Sequence, residues 1–284
     1  MSALPALAHP PEPTAMVDNE PRRVAILMPA YNVGDAINRA VGSLANGTYP
    51  CDIYIVDDGS DVPVTDVLKD FPRVKVIRLP KNAGVVKARN IGLAEILKHP
   101  YDYVACLDAD DVSYPDRVAK EVEFLDSHTE IAAVGAWVNH VDDDSGRPLF
   151  IERNPETAGK IKSALNYNSA VAHSTAMFSA AVLRQVGGYS EDYPVAEDYE
   201  MFRRIAERFP IANIPSVLVE RHISPNCLSF KHRRGQLRDR LRIQLRYFNA
   251  LEPSAWVGVL KTLLLLTVPV SVIMKLKEYV QPAA

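Results

Sequence analysis

The sequence predicts an α/β fold built on a doubly wound, largely parallel sheet, and three observations carry that reading. Apolar runs and helical patterns alternate four times over roughly a hundred residues. The runs are continuously apolar rather than alternating, as strands covered on both faces are. Polar side chains collect where each run ends, and in open α/β sheets that edge is where ligands lie.

Residues 23–28 form the first run, Arg-Val-Ala-Ile-Leu-Met, broken by Pro29 and followed by Ala30, Tyr31 and Asn32. Ile37, Ala40, Val41 and Leu44 then recur at helical spacing until the turn signal Asn46-Gly47. A second strand over 51–56 ends in Asp57-Asp58-Gly59-Ser60, and a short helix over 64–68 leads to a third over 74–79. After Lys81-Asn82-Ala83-Gly84 comes a helix carrying Val85, Ala88, Ile91 and Leu93, with Lys87, Arg89 and Asn90 on its early turns. The fourth strand, 103–107, runs into Asp108-Ala109-Asp110-Asp111.

Further on, Pro115 opens an amphipathic helix to about residue 127, and 131–141 reads as a strand ending in the acidic turn 142–146. A helix over 157–165 precedes 173–178, which reads as a short strand entering the helix 180–186, closed by Gly187-Gly188. The helix opened by Ala196-Glu197-Asp198 buries Met201, Phe202 and Ile205, and 211–219 supplies the last strand before Arg221 and His222.

A formal charge of -3 on 284 residues gives no reason to expect nucleic acid as a partner. Three cysteines, Cys51, Cys106 and Cys227, lack metal-ligand spacing and suit a reducing compartment as small buried residues. Residues 1–21 are rich in Pro and Ala without the basic start and apolar stretch of a secretory signal, so disorder is expected there.

Three carboxylates crowded at a strand exit repel one another unless a cation sits among them, and oxygen-only ligands suit magnesium or manganese. Asp108, Asp110 and Asp111 therefore read as a metal-diphosphate site, the bland alternative being an acidic turn that caps the helix after Pro115. Glu197 and Asp198 equally suit plain capping of a helix by acidic residues in its first turn. The run Asp142-Asp143-Asp144 reads as a hairpin tip more readily than as a second metal site. No Gly-x-Gly-x-x-Gly or Walker loop is present.

The order of the short motifs adds what none of them supplies alone. Pro-Ala-Tyr-Asn, Val-Asp-Asp-Gly-Ser, Asn-Ala-Gly with Ala-Arg-Asn-Ile-Gly, Leu-Asp-Ala-Asp-Asp, Val-Gly-Gly-Tyr and Ala-Glu-Asp-Tyr-Glu follow one another over residues 24–229. This series resembles the inverting glycosyltransferases of family 2, which have the GT-A fold, a Rossmann-like and mostly parallel sheet flanked by helices. The resemblance implies transfer of a sugar from a nucleotide-sugar, with a UDP-sugar expected, to a glycan or lipid-linked acceptor in surface or exopolysaccharide synthesis. It assigns the nucleotide to Pro29, Ala30, Tyr31 and Asn32, to Asp57 or Asp58, and to Asn82, Lys87, Arg89, Asp108 and Ala109. Manganese or magnesium falls to Asp110, helped by Asp108 and by His222, although Val219 and Glu220 depart from the Tyr-Arg that precedes this histidine in the family. Asp198 takes the catalytic base's position beside Glu197, and His173, Ser174 and Thr175 lie where the family tends to place acceptor-side loops. A sugar nucleotidyltransferase or a catalytically silent membrane-bound partner are the competing readings.

The catalytic domain is thus expected over 22–229, with a C-terminal helical extension over 230–284. Arginines at 233, 234, 238, 240, 242 and 246 crowd a helix in which Leu237, Leu241 and Leu245 recur every fourth residue. The apolar stretch 262–274 would span about 20 Å as a helix against about 30 Å of hydrocarbon. Binding to an anionic membrane surface at the cytoplasmic face, packing on the enzyme itself or a second copy, and true spanning are the three fates such a tail allows.

Overall fold

The computed structural model describes residues 21–143, 145–223 and 233–267. In chain order β1 (Val24–Ala30), α1 (Ala36–Ala45), β2 (Asp52–Asp57), α2 (Val64–Val67), β3 (Val74–Arg78), α3 (Val85–Ile96) and β4 (Tyr103–Cys106) make the first half. The two-residue β5 (Val112–Ser113), α4 (Arg117–Ser127), the hairpin of β6 (Ala133–Asp142) and β7 (Pro148–Glu152), and α5 (Ala158–Ala164) follow. Then come β8 (Met177–Ser179), α6 (Ala180–Val186), α7 (Glu197–Ala206), β9 (Ile211–Ile223), α8 (Arg233–Arg246) and α9 (Pro253–Thr267).

All the strands join one sheet in the order β3-β2-β1-β4-β8-β6-β9-β5, with β7 alongside β6. β3, β2, β1 and β4 are parallel, as is the long β6–β9 ladder, and short antiparallel pairs through β8 and β5 connect the rest. β1 shows why its sequence is apolar throughout: Ala25 and Leu27 enter the core under α3 and α7, while Val24, Ile26 and Met28 enter the opposite core under α1 and α4. Helices on both faces leave one functional edge, the C-terminal ends of β1, β2 and β4.

Two predicted elements differ from what forms. Residues 173–178 do not make one strand. His173–Thr175 is a 3-10 turn closed by Thr175 N–H to Ala172 O (3.0 Å), and only Met177–Ser179 pairs as a strand. The Thr175 hydroxyl accepts from Ala136 N–H (2.9 Å), which ties this turn to β6 and bends it out of the strand direction. β9 also runs past residue 219 to Ile223, because β6 continues beside it and pairs His140 with Arg221 and Val141 with His222. His222 is therefore a strand residue rather than one that follows a strand.

The predicted basic helix exists as α8, but its leucine stripe is not its packing face. Leu245 is 57% exposed, whereas Leu237, Asp239, Ile243 and Gln244 are buried and Ile243 joins the main core. The Gln244 side chain donates to the carbonyls of Asn166 (3.0 Å) and Tyr167 (3.2 Å), so part of the tail packs on the enzyme's own body. Among the described residues no helix is long and apolar enough to cross a membrane. The expected N-terminal disorder before Pro21, the tail beyond Thr267 and Cys227 lie outside the described residues. Cys51 and Cys106 are buried free thiols.

α4 is fixed to the end of β4 by an ion pair with no solvent exposure. Arg117 Nε donates to Glu121 Oε1 (2.9 Å) and another guanidinium nitrogen donates to the Cys106 carbonyl (2.8 Å). Burial pushes the Glu121 carboxyl up to about 7 against the pull of Arg117. Removing one partner leaves the other charge stranded, so Glu121→Ala is expected to lower the unfolding free energy by about 3–5 kcal/mol in urea titrations. Glu121→Gln, which keeps an acceptor for Arg117, should recover most of that loss; a loss under about 1 kcal/mol for the alanine variant would show that the pair does not anchor α4.

Candidate active site

The loops at the exits of β1 and β2 are held by carboxylates at the end of β2. Asp57 is fully buried: Oδ1 accepts from Ser60 N–H (2.9 Å), and Oδ2 accepts from Val64 N–H (3.1 Å) and from the Arg78 guanidinium. Burial would raise its pKa, yet these donors hold it below the ordinary aspartate value. Asp58 accepts from Ala83 N–H (2.7 Å) and Gly84 N–H (2.9 Å), which fixes the loop that opens α3. Gly59, at φ +70, lets the two loops touch; a Cβ there would lie 2.5 Å from the Lys81 carbonyl carbon. Asn32, itself at φ 52, exchanges hydrogen bonds with Asp61 (3.0 and 2.8 Å), locking the β1 exit onto the same loop.

The centre of the site is Arg89. Its side chain is 7% exposed, and the guanidinium lies 3.1 Å from Asp108 Oδ1, pairs with the Glu197 carboxylate at the start of α7, and sits over the Tyr189 ring. The neighbouring Asn90 exchanges hydrogen bonds with the Tyr189 backbone (2.8 and 2.7 Å), and Gly188 is required because a Cβ would overlap the Asn90 amide. Three motifs far apart in sequence thus meet at one buried cation.

Asp108 is held from its other side by the Ser174 hydroxyl (3.0 Å) and by Arg221 (3.3 Å), which also lies 3.7 Å from Asp111. Although burial works against it, Arg89 and Arg221 keep Asp108 ionised well below the usual carboxylate range. Its neighbours go the other way. Burial, with the charges of Asp108 and Asp110 added, pushes Asp111 up to about 7, and desolvation followed by Asp108 raises Asp110. Burial also raises Glu197 to about 7 despite Arg89, while burial and Arg89 keep His173 neutral.

The chain matches the sequence model of Glycosyl transferase family 2 over residues 25–187. The chain belongs to that family. It is 25% identical over 247 residues to the Escherichia coli UDP-Gal:alpha-D-GlcNAc-diphosphoundecaprenol beta-1,3-galactosyltransferase, covering 83% of this chain and 86% of that protein. S. aureus TarS 1–349 in complex with UDP-GlcNAc superposes with a TM-score of 0.64 at 18% identity, over 85% of this chain and 71% of that one. The mannosyltransferase PcManGT from Pyrobaculum calidifontis, in complex with GDP-Man and Mn2+, gives 0.60 at 15% identity, over 92% of this chain and 73% of the other. The fold is the GT-A fold of these transferases.

Within this family 2 fold, Pro29, Ala30, Tyr31 and Asn32 lie at the β1 exit, and the Tyr31 ring is 47% exposed. Asn82 and Lys87 are exposed at the start of α3, and Ala109 is buried. A pocket of about 240 Å³ lined by Asn32, Val33, Ser60 and Val62 opens beside Tyr31, and none of Asp108, Asp110 or Asp198 lines it. His173, Ser174 and Thr175 are all buried; Ser174 donates to Asp108, His173 meets the Tyr189 hydroxyl and Thr175 bonds Ala136. His222 lies 3.2 Å from both Asp143 and Glu220, and Asp143 is joined by Arg39 to the Asp110 backbone carbonyl. Asp198, half-buried in the first turn of α7, accepts from its neighbour Tyr199 N–H (2.7 Å).

The acidic residues suit a divalent cation. Asp111 Oδ2 is buried without a hydrogen bond, Asp110 and Asp111 are both raised by burial with neighbouring carboxylates adding to it, and every donor is oxygen. Among the described residues no three His, Cys, Asp or Glu side chains form a ready ligand cage. An ion of the magnesium type takes one or two carboxylates, which Asp110 and its neighbours could supply, and completes its shell with water and substrate phosphates. Sequence reasoning names Asn90 and Arg221 without giving either a role, and the pairing of Arg89 with Glu197, 108 residues apart, leaves no local signal.

Gly59→Ala is expected to destabilise the chain by more than about 1 kcal/mol in urea titrations, because both the positive φ and the contact with Lys81 oppose a side chain. An unchanged unfolding midpoint would show that the two loops do not need that close approach. Arg89→Met should cost about 3–5 kcal/mol in denaturant unfolding by leaving the buried Glu197 without its cation and Asp108 with Arg221 alone, with Glu197→Gln milder.

Proposed function

We propose that the chain is an inverting, metal-dependent glycosyltransferase that moves a hexosyl group from a UDP-sugar to a glycan or lipid-linked acceptor in surface polysaccharide synthesis. The observation that carries this reading is the Arg89 bridge, which brings the strand-exit carboxylates and the first turn of α7 into one site. The UDP-GlcNAc complex of TarS supports the donor class, and the diphosphoundecaprenol substrate named for the E. coli relative supports a lipid-linked acceptor. Such an acceptor would put the reaction at the cytoplasmic face of a membrane.

Transfer breaks the bond from anomeric carbon to phosphate while an acceptor hydroxyl attacks from the other face. Tyr31 offers an exposed ring for the base to stack on, and the loops fixed by Asp57 and Asp58 orient the nucleoside. Asp110 and Asp108 would hold manganese or magnesium, whose chemistry there is to neutralise the leaving diphosphate without a proton donor. Arg89 holds Asp108 ionised and, by pairing with Glu197, leaves Asp198 as the carboxylate free to take the proton of the acceptor hydroxyl. One base and no covalent intermediate give inversion at the anomeric carbon, by the logic that separates inverting from retaining glycosidases.

Asp198→Asn is expected to keep UDP-sugar affinity within about twofold and to lower transfer by roughly 10²–10⁴-fold. Loss of nucleotide binding in that variant would move Asp198 out of the base role. A screen of nucleotide-sugars should find one whose hydrolysis requires manganese and stops with chelator; metal-independent hydrolysis would contradict the role of Asp110.

A further inference from the structure

The last described helix has its polarity reversed relative to an ordinary surface helix. α9 turns its small residues inward: Ala255, Gly258 and Thr262 are buried. Gly258 sits so close to the body that a Cβ would overlap the Asn166 carbonyl oxygen, and the Asn166 amide donates to Ser254 Oγ (2.7 Å) and Glu252 Oε2 (2.8 Å) at the helix start. The helix therefore cannot roll to bury its other side. That side carries Trp256, Val257, Leu260, Leu263 and Leu264, which are 44–63% exposed and recur at i, i+1, i+4, i+7 and i+8 as one stripe. Soluble monomers seldom leave such a contiguous apolar face to water.

A second stripe lies on the neighbouring helix. α8 packs alongside α9, with Phe248, just past its end, edge-on to Trp256 at 4.8 Å, and it exposes Arg234, Arg238, Arg242 and Arg246 at successive intervals of four. Lys261 is exposed on α9 itself. We infer that α8 and α9 form a docking surface for an anionic lipid bilayer, the α9 stripe lying at the headgroup–acyl boundary and the arginines against lipid phosphates. An amphiphilic tryptophan beside a leucine row is the composition that boundary favours. The charge pattern decides between a bilayer and a second copy of the chain. A two-fold contact buries the same patch on both subunits, so it would set one arginine row against the other. Arg242 already pairs with Asp239 (3.2 Å) and donates to the Asp192 carbonyl (2.7 Å), so it is chiefly Arg234 and Arg238 to which an anionic surface gives partners, at roughly 1 kcal/mol each.

The docking surface is independent of the transferase chemistry, and the test separates the two. The full chain is sedimented with vesicles of phosphatidylcholine alone and of phosphatidylcholine with phosphatidylglycerol, and UDP release from its donor is measured on the same samples. The expected result is binding to the anionic vesicles that weakens as salt rises. Leu260→Glu with Leu264→Glu, both exposed positions outside the site, should weaken it at least tenfold without changing the melting curve or UDP release. Arg234→Glu with Arg238→Glu should abolish the preference for phosphatidylglycerol. The inference is overturned if the unchanged chain stays in the supernatant, or if the double-glutamate variant binds as the unchanged chain does. It is equally overturned if light scattering finds a dimer that this variant dissolves while vesicles are ignored.

Discussion

Everything at the functional edge depends on one buried guanidinium. Arg89 is 6% exposed, and an unpaired cation at that depth would cost several kcal/mol; it is tolerable because Asp108 and Glu197 flank it and Tyr189 lies under it. The dependence runs both ways. Asp108 stays ionised among three crowded carboxylates because Arg89 and Arg221 are there, and α7 is placed by the pair its first residue makes. A strand exit, the start of α3 and the start of α7 are thereby fixed relative to one another by charge rather than by backbone hydrogen bonds.

Around that centre the motifs divide between touching substrate and holding the frame. Asp57 and Asp58 look like nucleotide-reading carboxylates, yet all four of their oxygens accept from loop backbone or Arg78. Asn90 and Gly188 serve each other. Ser174 supports Asp108 from below, with His173 neutral beside it and 2.9 Å from the Tyr189 hydroxyl. The exposed members, Tyr31, Asn82, Lys87 and Asp110, are the ones left facing solvent at the edge where a nucleotide lies in such sheets.

Much of the fold was legible in the sequence because local patterning suffices for it. The apolar runs of β1, β2 and β4 and the helical spacing of α1 gave their positions to within a few residues, and the acidic cluster lies at the predicted strand exit. What local patterning cannot show is long-range pairing. β9 reads too short from sequence because Glu220, Arg221 and His222 look like a loop until β6 is known to run beside them. The turn at His173–Thr175 reads as strand because its bend is set by a Thr175 bond to β6, 39 residues away. The loop-holding use of Asp57 did leave a signal, since Asp-Asp-Gly-Ser is a turn sequence in which Asp57 accepts from Ser60. In the tail, arginine and leucine spacing located α8 but not its packing face, which Gln244 and Asp239 share with Leu237 and Ile243.

The central claim is that a cation-holding aspartate and a proton-accepting aspartate flank one sugar, with Arg89 fixing the distance between the elements that carry them. A crystal structure with UDP-GlcNAc and manganese, the metal located by its anomalous scattering, tests this most directly. The predicted outcome is manganese between Asp110 and the diphosphate, Arg89 still joining Asp108 to Glu197, and the Asp198 carboxylate on the face of the sugar opposite the diphosphate. Asp110 and Asp198 opening into separate cavities, or a sugar bound away from the first turn of α7, would contradict it.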